Sequence, residues 1–180
     1  IEYEKSHRLE LDKIGFEIKP SSWDYNNFIF EVLAKEFSSD ENIIGWQIDN
    51  ELIIGDNWGG CRCPKCVNRY HKYLENRYKT IENLNKEWNT FVWRVEYQKF
   101  SQVTPPNRDI WNHPSSISTW GAFQNDVYND FIKMQVDIIK KYSKAPVSTD
   151  QVPLLGLSYD DVAQNVDLIQ FNHYNDEKTM

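Results

Sequence analysis

Three short apolar runs, each closing on polar side chains and separated by stretches with helical spacing, leave few folds open to this chain. The first is Ile43-Ile44-Gly45-Trp46-Gln47-Ile48, which ends in Asp49-Asn50-Glu51. The second, Val147-Ser148-Thr149-Asp150, follows Pro146, and the third, Val166-Asp167-Leu168-Ile169-Gln170-Phe171, closes on Asn172-His173-Tyr174. Strands that alternate with helices pair in parallel, because a parallel neighbour is reached only through a crossover, and polar groups gather at their carboxyl ends. The expected fold class is therefore α/β: a partial (β/α)8 barrel comprising central strands and helices only. Three strands cannot close a barrel of eight, which takes about 250 residues. No glycine-rich phosphate loop favours a doubly wound alternative.

The intervening segments carry the helical signal. Asp24 is placed to cap a first helix with Ile29, Val32, Leu33 and Phe37 on one face. A second helix is expected over 64–78, with Val67, Tyr70, Leu74 and Tyr78 aligned, and a short third carries Ile81, Leu84 and Trp88. Residues 103–118 contain Pro105, Pro106 and Pro114 and read as an extended excursion. The strongest helix begins near Thr119, since Phe123, Val127, Phe131, Met134 and Ile138 recur at steps of three and four. A small helix suits 160–165. Residues 1–23 show no period.

Composition narrows the function classes. A net charge of -7 argues against a nucleic-acid surface, which needs clustered cations to neutralise phosphates. No run approaches the ~20 apolar residues of a membrane span, so no membrane partner and a cytoplasmic location are expected. Seven Trp and ten Tyr exceed what a core of this size needs, and aromatic faces also accept the C–H groups of sugars. Most of these rings are expected in the core.

Two places concentrate chemistry. Glu51 stands at the end of a buried run, at a rim where a ligand meets the protein; the plainer alternative is a solvated loop residue or a helix cap. Cys61-Arg62-Cys63-Pro64-Lys65-Cys66 sets three thiols within six residues, a spacing that grips a tetrahedral Zn²⁺. Disulfide pairing is the alternative, and the odd count would leave one thiol over. A fourth ligand could be His7, His71, Asp56 or water. Thiolate-rich zinc is usually a closed structural staple, here for a metal-binding loop at about 55–68.

The chain resembles the family 42 β-galactosidases, retaining glycosidases whose catalytic domain is a TIM barrel. The resemblance rests on Gly45-Trp46-Gln47-Ile48-Asp49-Asn50-Glu51, Cys61-x-Cys63-Pro64-x-Cys66, Leu84-Asn85-x-x-Trp88-x-Thr90-x-x-Trp93 and Phe131-x-x-x-Gln135, in order over roughly 20–175. It implies that 1–180 is a fragment of a glycosidase catalytic domain acting on terminal β-D-galactosides. It further implies that Glu51 is the general acid/base, that Asn50 holds a sugar hydroxyl, that Trp93 lines the galactose subsite, and that Cys61, Cys63 and Cys66 bind structural zinc. The family nucleophile, a Glu on a later strand, has no match before Met180, so the isolated fragment is expected to be inactive. Lys19 stands near the family's fourth zinc cysteine, and a family arginine has no match around 15–18. These departures keep open a non-catalytic, zinc-stapled module that binds carbohydrate or protein. The family also implies a homo-oligomer for the parent enzyme.

Overall fold

The computed structural model describes residues 22–52, 59–151 and 157–172. Val147–Gln151 (β2) lies between Trp46–Ile48 (β1) and Leu168–Phe171 (β3) in a parallel sheet of order β1-β2-β3. The register sets Trp46 against Val147, Ser148 against Leu168 and Asp150 against Gln170. All five residues of β2 are buried, as a central strand covered on both sides requires. β3 is largely exposed, and Leu168 and Phe171 are open to solvent.

Alternation along the strands separates two faces. Ile48, Val147 and Ile169 belong to an apolar cluster with Ala34 of helix α1 (Ser22–Glu36), and with Ile132, Val136 and Ile139 of helix α5 (Pro114–Lys140). Ser148, Asp150 and Gln170 occupy the opposite face, the interior of a barrel of this kind. At the amino-terminal edge of the sheet, Asp167 accepts the Val147 N–H at 2.7 Å and pairs with Lys140 at 2.5 Å. Lys140 and that amide hold its carboxyl below the usual carboxylate range.

The crossover from β1 to β2 builds a second core. It contains α2 (Pro64–Tyr78), α3 (Ile81–Trp88), the four-residue turn α4 (Thr90–Trp93) and a 3-10 turn at Phe100–Gln102. Tyr70, Leu74, Tyr78, Leu84, Trp88 and Val103 pack there against Trp120 and Phe123 of α5. Trp120 has no exposed surface, stands edge-on to Tyr70 at 4.8 Å, and donates from Nε1 to the Gly59 carbonyl at 2.8 Å. After β2, Ser158 caps α6 (Tyr159–Ala163) by accepting the Asp161 N–H.

The expected α/β architecture is present, with differences in detail. α2 has its expected span and buried face. α5 begins five residues before Thr119, because Pro114 occupies the first helical turn, where a proline has no hydrogen bond to lose. The prolines of 103–118 thus include a helix start. The buried stripe of α5 is also rotated: Ile132, Gln135, Val136 and Ile139 face the core, whereas Phe131 and Met134 are only half-buried. Asp24 falls inside α1 rather than before it. Val32, Leu33 and Phe37 are 40–46% exposed; the side of α1 that packs on α5 and joins the apolar cluster carries Ala34 and Phe30 instead. β1 is shorter than 43–48, and Ile44 is 90% exposed.

Candidate active site at the carboxyl ends of the strands

β1 ends in a left-handed backbone. Asp49 has φ 49° and Glu51 φ 52°, a region that costs a non-glycine residue about 1–3 kcal/mol and persists only where neighbours enforce it. Two contacts do so. The Asp49 carboxylate accepts a hydrogen bond from Gln135 Nε2, and the Glu51 N–H donates to the Asp150 carbonyl at 3.2 Å. Gln135 is fully buried and also donates to the Phe131 carbonyl at 3.3 Å. Burial pushes the Asp49 carboxyl up, opposed by the Gln135 hydrogen bond. Gln135, part of the quoted Phe131-x-x-x-Gln135 motif, thus clamps the turn that presents Glu51.

Three strand ends then converge. Asn172, directly after β3, donates from Nδ2 to Glu51 Oε1 at 2.5 Å and to Asp150 Oδ2 at 2.9 Å. By alternation Asp150 and Asn172 sit on the interior face of the sheet, so the Glu51 carboxylate is turned to that face as well. Asp150 is 6% exposed and Glu51 half-buried, whereas Asn50 between the two turned residues is exposed. A single amide group therefore holds two carboxylates from different strands, leaving Glu51 Oε2 outside that bridge. The sequence marked Asp150 and Asn172 only as strand-closing residues. His173 and Tyr174 lie outside the described residues.

Trp93 is placed by a different group. Asn85 accepts the Tyr97 N–H at 3.0 Å and the Thr90 hydroxyl at 3.1 Å through Oδ1, and donates to the Tyr97 carbonyl at 2.7 Å. Trp88 donates from Nε1 to the Tyr78 hydroxyl at 2.8 Å, inside the core. These residues of the Leu84–Trp93 motif fix α4, whose flanking Asn89 and Arg94 are both left-handed. Trp93 emerges half-exposed beside Trp111.

The three thiols also converge. Cys61, Cys63 and Cys66 are free, and their Sγ atoms lie within 4.8 Å of one another, near the separation that sulfurs sharing one zinc at about 2.3 Å each adopt. Cys63 precedes Pro64 at the start of α2, where the orphan amides of a helix favour an anion. The Cys66 N–H, with the neighbouring thiols, draws the Cys63 thiol down to about 7; burial and those same thiols push Cys66 up to about 12. A thiol drawn down beside Cys66, which resists ionisation, is an arrangement that a bound cation would resolve. Among the described residues no further ligand joins the three. His71 directs Nε2 to the Val103 carbonyl at 3.1 Å, and His7 and Asp56 lie outside the described residues. The foot of this loop is firmly seated: a Cβ on Gly60, φ 93°, would lie 2.2 Å from Gln124 Oε1, and Arg62 donates to the Pro106 carbonyl at 2.8 Å.

Among the described residues, open cavities of about 600 and 630 Å³ lie elsewhere, one between α2 and α5 and one along α5 beside Glu31. Neither touches the strand ends, and both mix charged side chains such as Arg69, Asp130 and Lys133 with apolar ones such as Val127 and Met134.

Parallel strands joined through helices, with Glu51, Asp150 and Asn172 meeting at their carboxyl ends, define a segment of a (β/α) barrel whose mouth carries the polar groups. The sequence profile of the β-galactosidase family, glycoside hydrolase family 42, matches residues 19–180, and the chain belongs to that family. It is 35% identical over 147 residues to β-galactosidase YesZ of Bacillus licheniformis, covering 81% of this chain and 22% of that protein. β-Galactosidase BgaA of Clostridium cellulovorans is 31% identical over 83% of this chain and 23% of its own. The crystal structure of the Bacillus circulans sp. alkalophilus β-galactosidase superposes with a TM-score of 0.80 at 26% identity, covering 89% of this chain and 24% of that one. The chain thus spans about a quarter of the length of these relatives.

Proposed function

We propose that residues 1–180 form the acid/base-bearing part of a longer retaining β-galactosidase, with Glu51 as general acid/base. The observation that carries the reading is the convergence of three strand ends on Glu51 through the Asn172 bridge. Glu51 protonates the glycosidic oxygen of a terminal β-D-galactoside as the bond to the anomeric carbon breaks, then takes a proton from the water that releases the sugar. Asn50, exposed next to it, holds a galactose hydroxyl beside the reacting carbon. Trp93 gives the ring an apolar wall. The nucleophile, a carboxylate about 5–5.5 Å from the acid/base, comes from a later strand of the barrel.

The 180-residue chain alone is expected to leave 4-nitrophenyl β-D-galactoside intact over hours at micromolar protein, because protonation without a nucleophile forms no glycosyl intermediate. Measured turnover by the pure chain would overturn this division of the site.

The cysteines hold a zinc ion that serves as a structural cross-link for the loop after β1, within the 55–68 segment. Protein purified without chelator is expected to contain close to one zinc per chain. Cys63→Ser should lose it, and chelation should speed amide exchange in 59–70 more than in the strands. A metal content near zero rejects the site.

A further inference from the structure

The Asn172 bridge has a member to which the acid/base chemistry gives no role. Asp150 Oδ2 and Glu51 Oε1 accept from one nitrogen at 2.9 and 2.5 Å, so the two oxygens lie less than about 5.5 Å apart, inside the ~4–6 Å over which one charge shifts the ionisation of another. The two residues are joined again through the backbone, where the Glu51 N–H donates to the Asp150 carbonyl at 3.2 Å. Asp150 is 6% exposed on the middle strand of the sheet, where water screens a charge poorly.

Among the described residues bonded to these strand ends, β1 contributes Asp49, itself acidic and turned to Gln135 of α5, and β3 contributes the neutral Asn172. The ion pair of Lys140 with Asp167 lies at the opposite edge of the sheet. Two carboxylates this close in a poorly solvated place resist ionising together. An aspartic acid is intrinsically stronger than a glutamic acid, so a proton shared by the pair falls to Glu51. Held by the amide through Oε1, a protonated Glu51 carries that proton on Oε2, the oxygen outside the bridge.

We propose that Asp150 is a positioning residue for the catalytic proton: its buried carboxylate, fixed on the same amide as Glu51, keeps Glu51 protonated at neutral pH and ready to donate. The assignment rests on the reading of Glu51 as the acid/base. The same charge serves the second half of the reaction, because a carboxylate that holds its proton more tightly is also the stronger base toward water. The nucleophile loses its negative charge when it bonds to the sugar. Asp150 keeps its own throughout.

The test is the pH dependence of kcat/KM in the complete enzyme, which reports the ionisation of the free enzyme. On lactose, the alkaline limb marks loss of the Glu51 proton. Asp150→Asn keeps the size and an acceptor for Asn172 and removes the charge. A neighbouring anion holds the proton on Glu51, so removing it should move the alkaline limb about one pH unit lower, a tenfold fall in rate above the limb, and leave the rate below it nearly unchanged. On 2,4-dinitrophenyl β-D-galactoside, whose leaving group needs no proton, kcat/KM should hardly change, which also shows that the site is folded. Asp150→Ser, equally neutral, should give the same shift. A limb unmoved in both variants, or a loss equal at every pH, overturns the role of Asp150. Loss of dinitrophenyl galactoside turnover in both makes Asp150 a structural residue and overturns it as well. Glu51→Gln separates the two readings. If it abolishes the lactose limb while Asp150→Asn leaves the limb where the parent enzyme has it, Glu51 stands as the acid and only Asp150 falls. If the limb survives Glu51→Gln, the acid/base reading fails and this proposal with it.

Discussion

Trp120→Ala is expected to lower the unfolding free energy by about 3–5 kcal/mol, the cost of deleting a large aromatic from a packed core. For a domain of this size that is on the order of a 10 °C drop in Tm, and a large share of the ~5–15 kcal/mol that holds such a domain together. Trp120 is singled out because it serves two structures at once. Its ring fills the space between Tyr70 and Phe123, and its Nε1 ties down the Gly59 carbonyl at the foot of the cysteine loop. Trp120→Phe separates these roles: it keeps most of the packing and loses one partly buried hydrogen bond, for about 1–2 kcal/mol. Thermal unfolding followed by circular dichroism checks both. If Trp120→Ala melted within about 2 °C of the parent chain, the second core would not depend on this ring. The Phe variant should also release zinc more readily, since the loop loses an anchor two residues before Cys61.

Glu51→Gln in the complete enzyme is expected to reduce kcat on lactose by about 10²–10⁴-fold, the usual contribution of a positioned general acid. In kcat/KM, which reports formation of the galactosyl intermediate, the loss should nearly vanish for 2,4-dinitrophenyl β-D-galactoside, whose leaving group departs without a proton, whereas kcat on that substrate falls because removal of the galactosyl group lacks its base. Gln is nearly isosteric and can still accept from Asn172 through its carbonyl oxygen, so the fold is preserved and the change isolates the proton. Equal losses in kcat/KM on both substrates would assign Glu51 to positioning or to nucleophilic attack. An unchanged rate on lactose would remove it from the mechanism.

The parts of this arrangement that local spacing controls were legible in the sequence. Pro64 after the paired cysteines marks the start of α2, and Tyr70, Leu74 and Tyr78 mark its buried face, because both signals depend only on helix geometry and on neighbours within a few residues. The parallel strand grammar foretold three strands with polar ends. Pro114 misled, since proline breaks a helix from within yet starts one from its first turn, and sequence alone does not say which. Val32, Leu33 and Phe37 misled for a different reason: apolar periodicity shows that a face seeks cover, not which neighbour supplies it. The bridge from Asn172 to Glu51 spans 121 residues and that from Gln135 to Asp49 spans 86. Such contacts follow from strand order and register, which no local pattern encodes. Glu51 was singled out as a candidate from its place at a strand end, but the left-handed turns around it, and the amide that holds it beside Asp150, required the fold.

The most direct test of Glu51 as acid/base is chemical rescue of Glu51→Gly in the complete enzyme. With 2,4-dinitrophenyl β-D-galactoside the galactosyl intermediate forms but has no base to activate water, so added azide, which needs none, should raise the rate and yield β-galactosyl azide with retained configuration. A rate indifferent to azide, or an α-configured azide product, would contradict the assignment of Glu51 as the general acid/base of a retaining β-galactosidase.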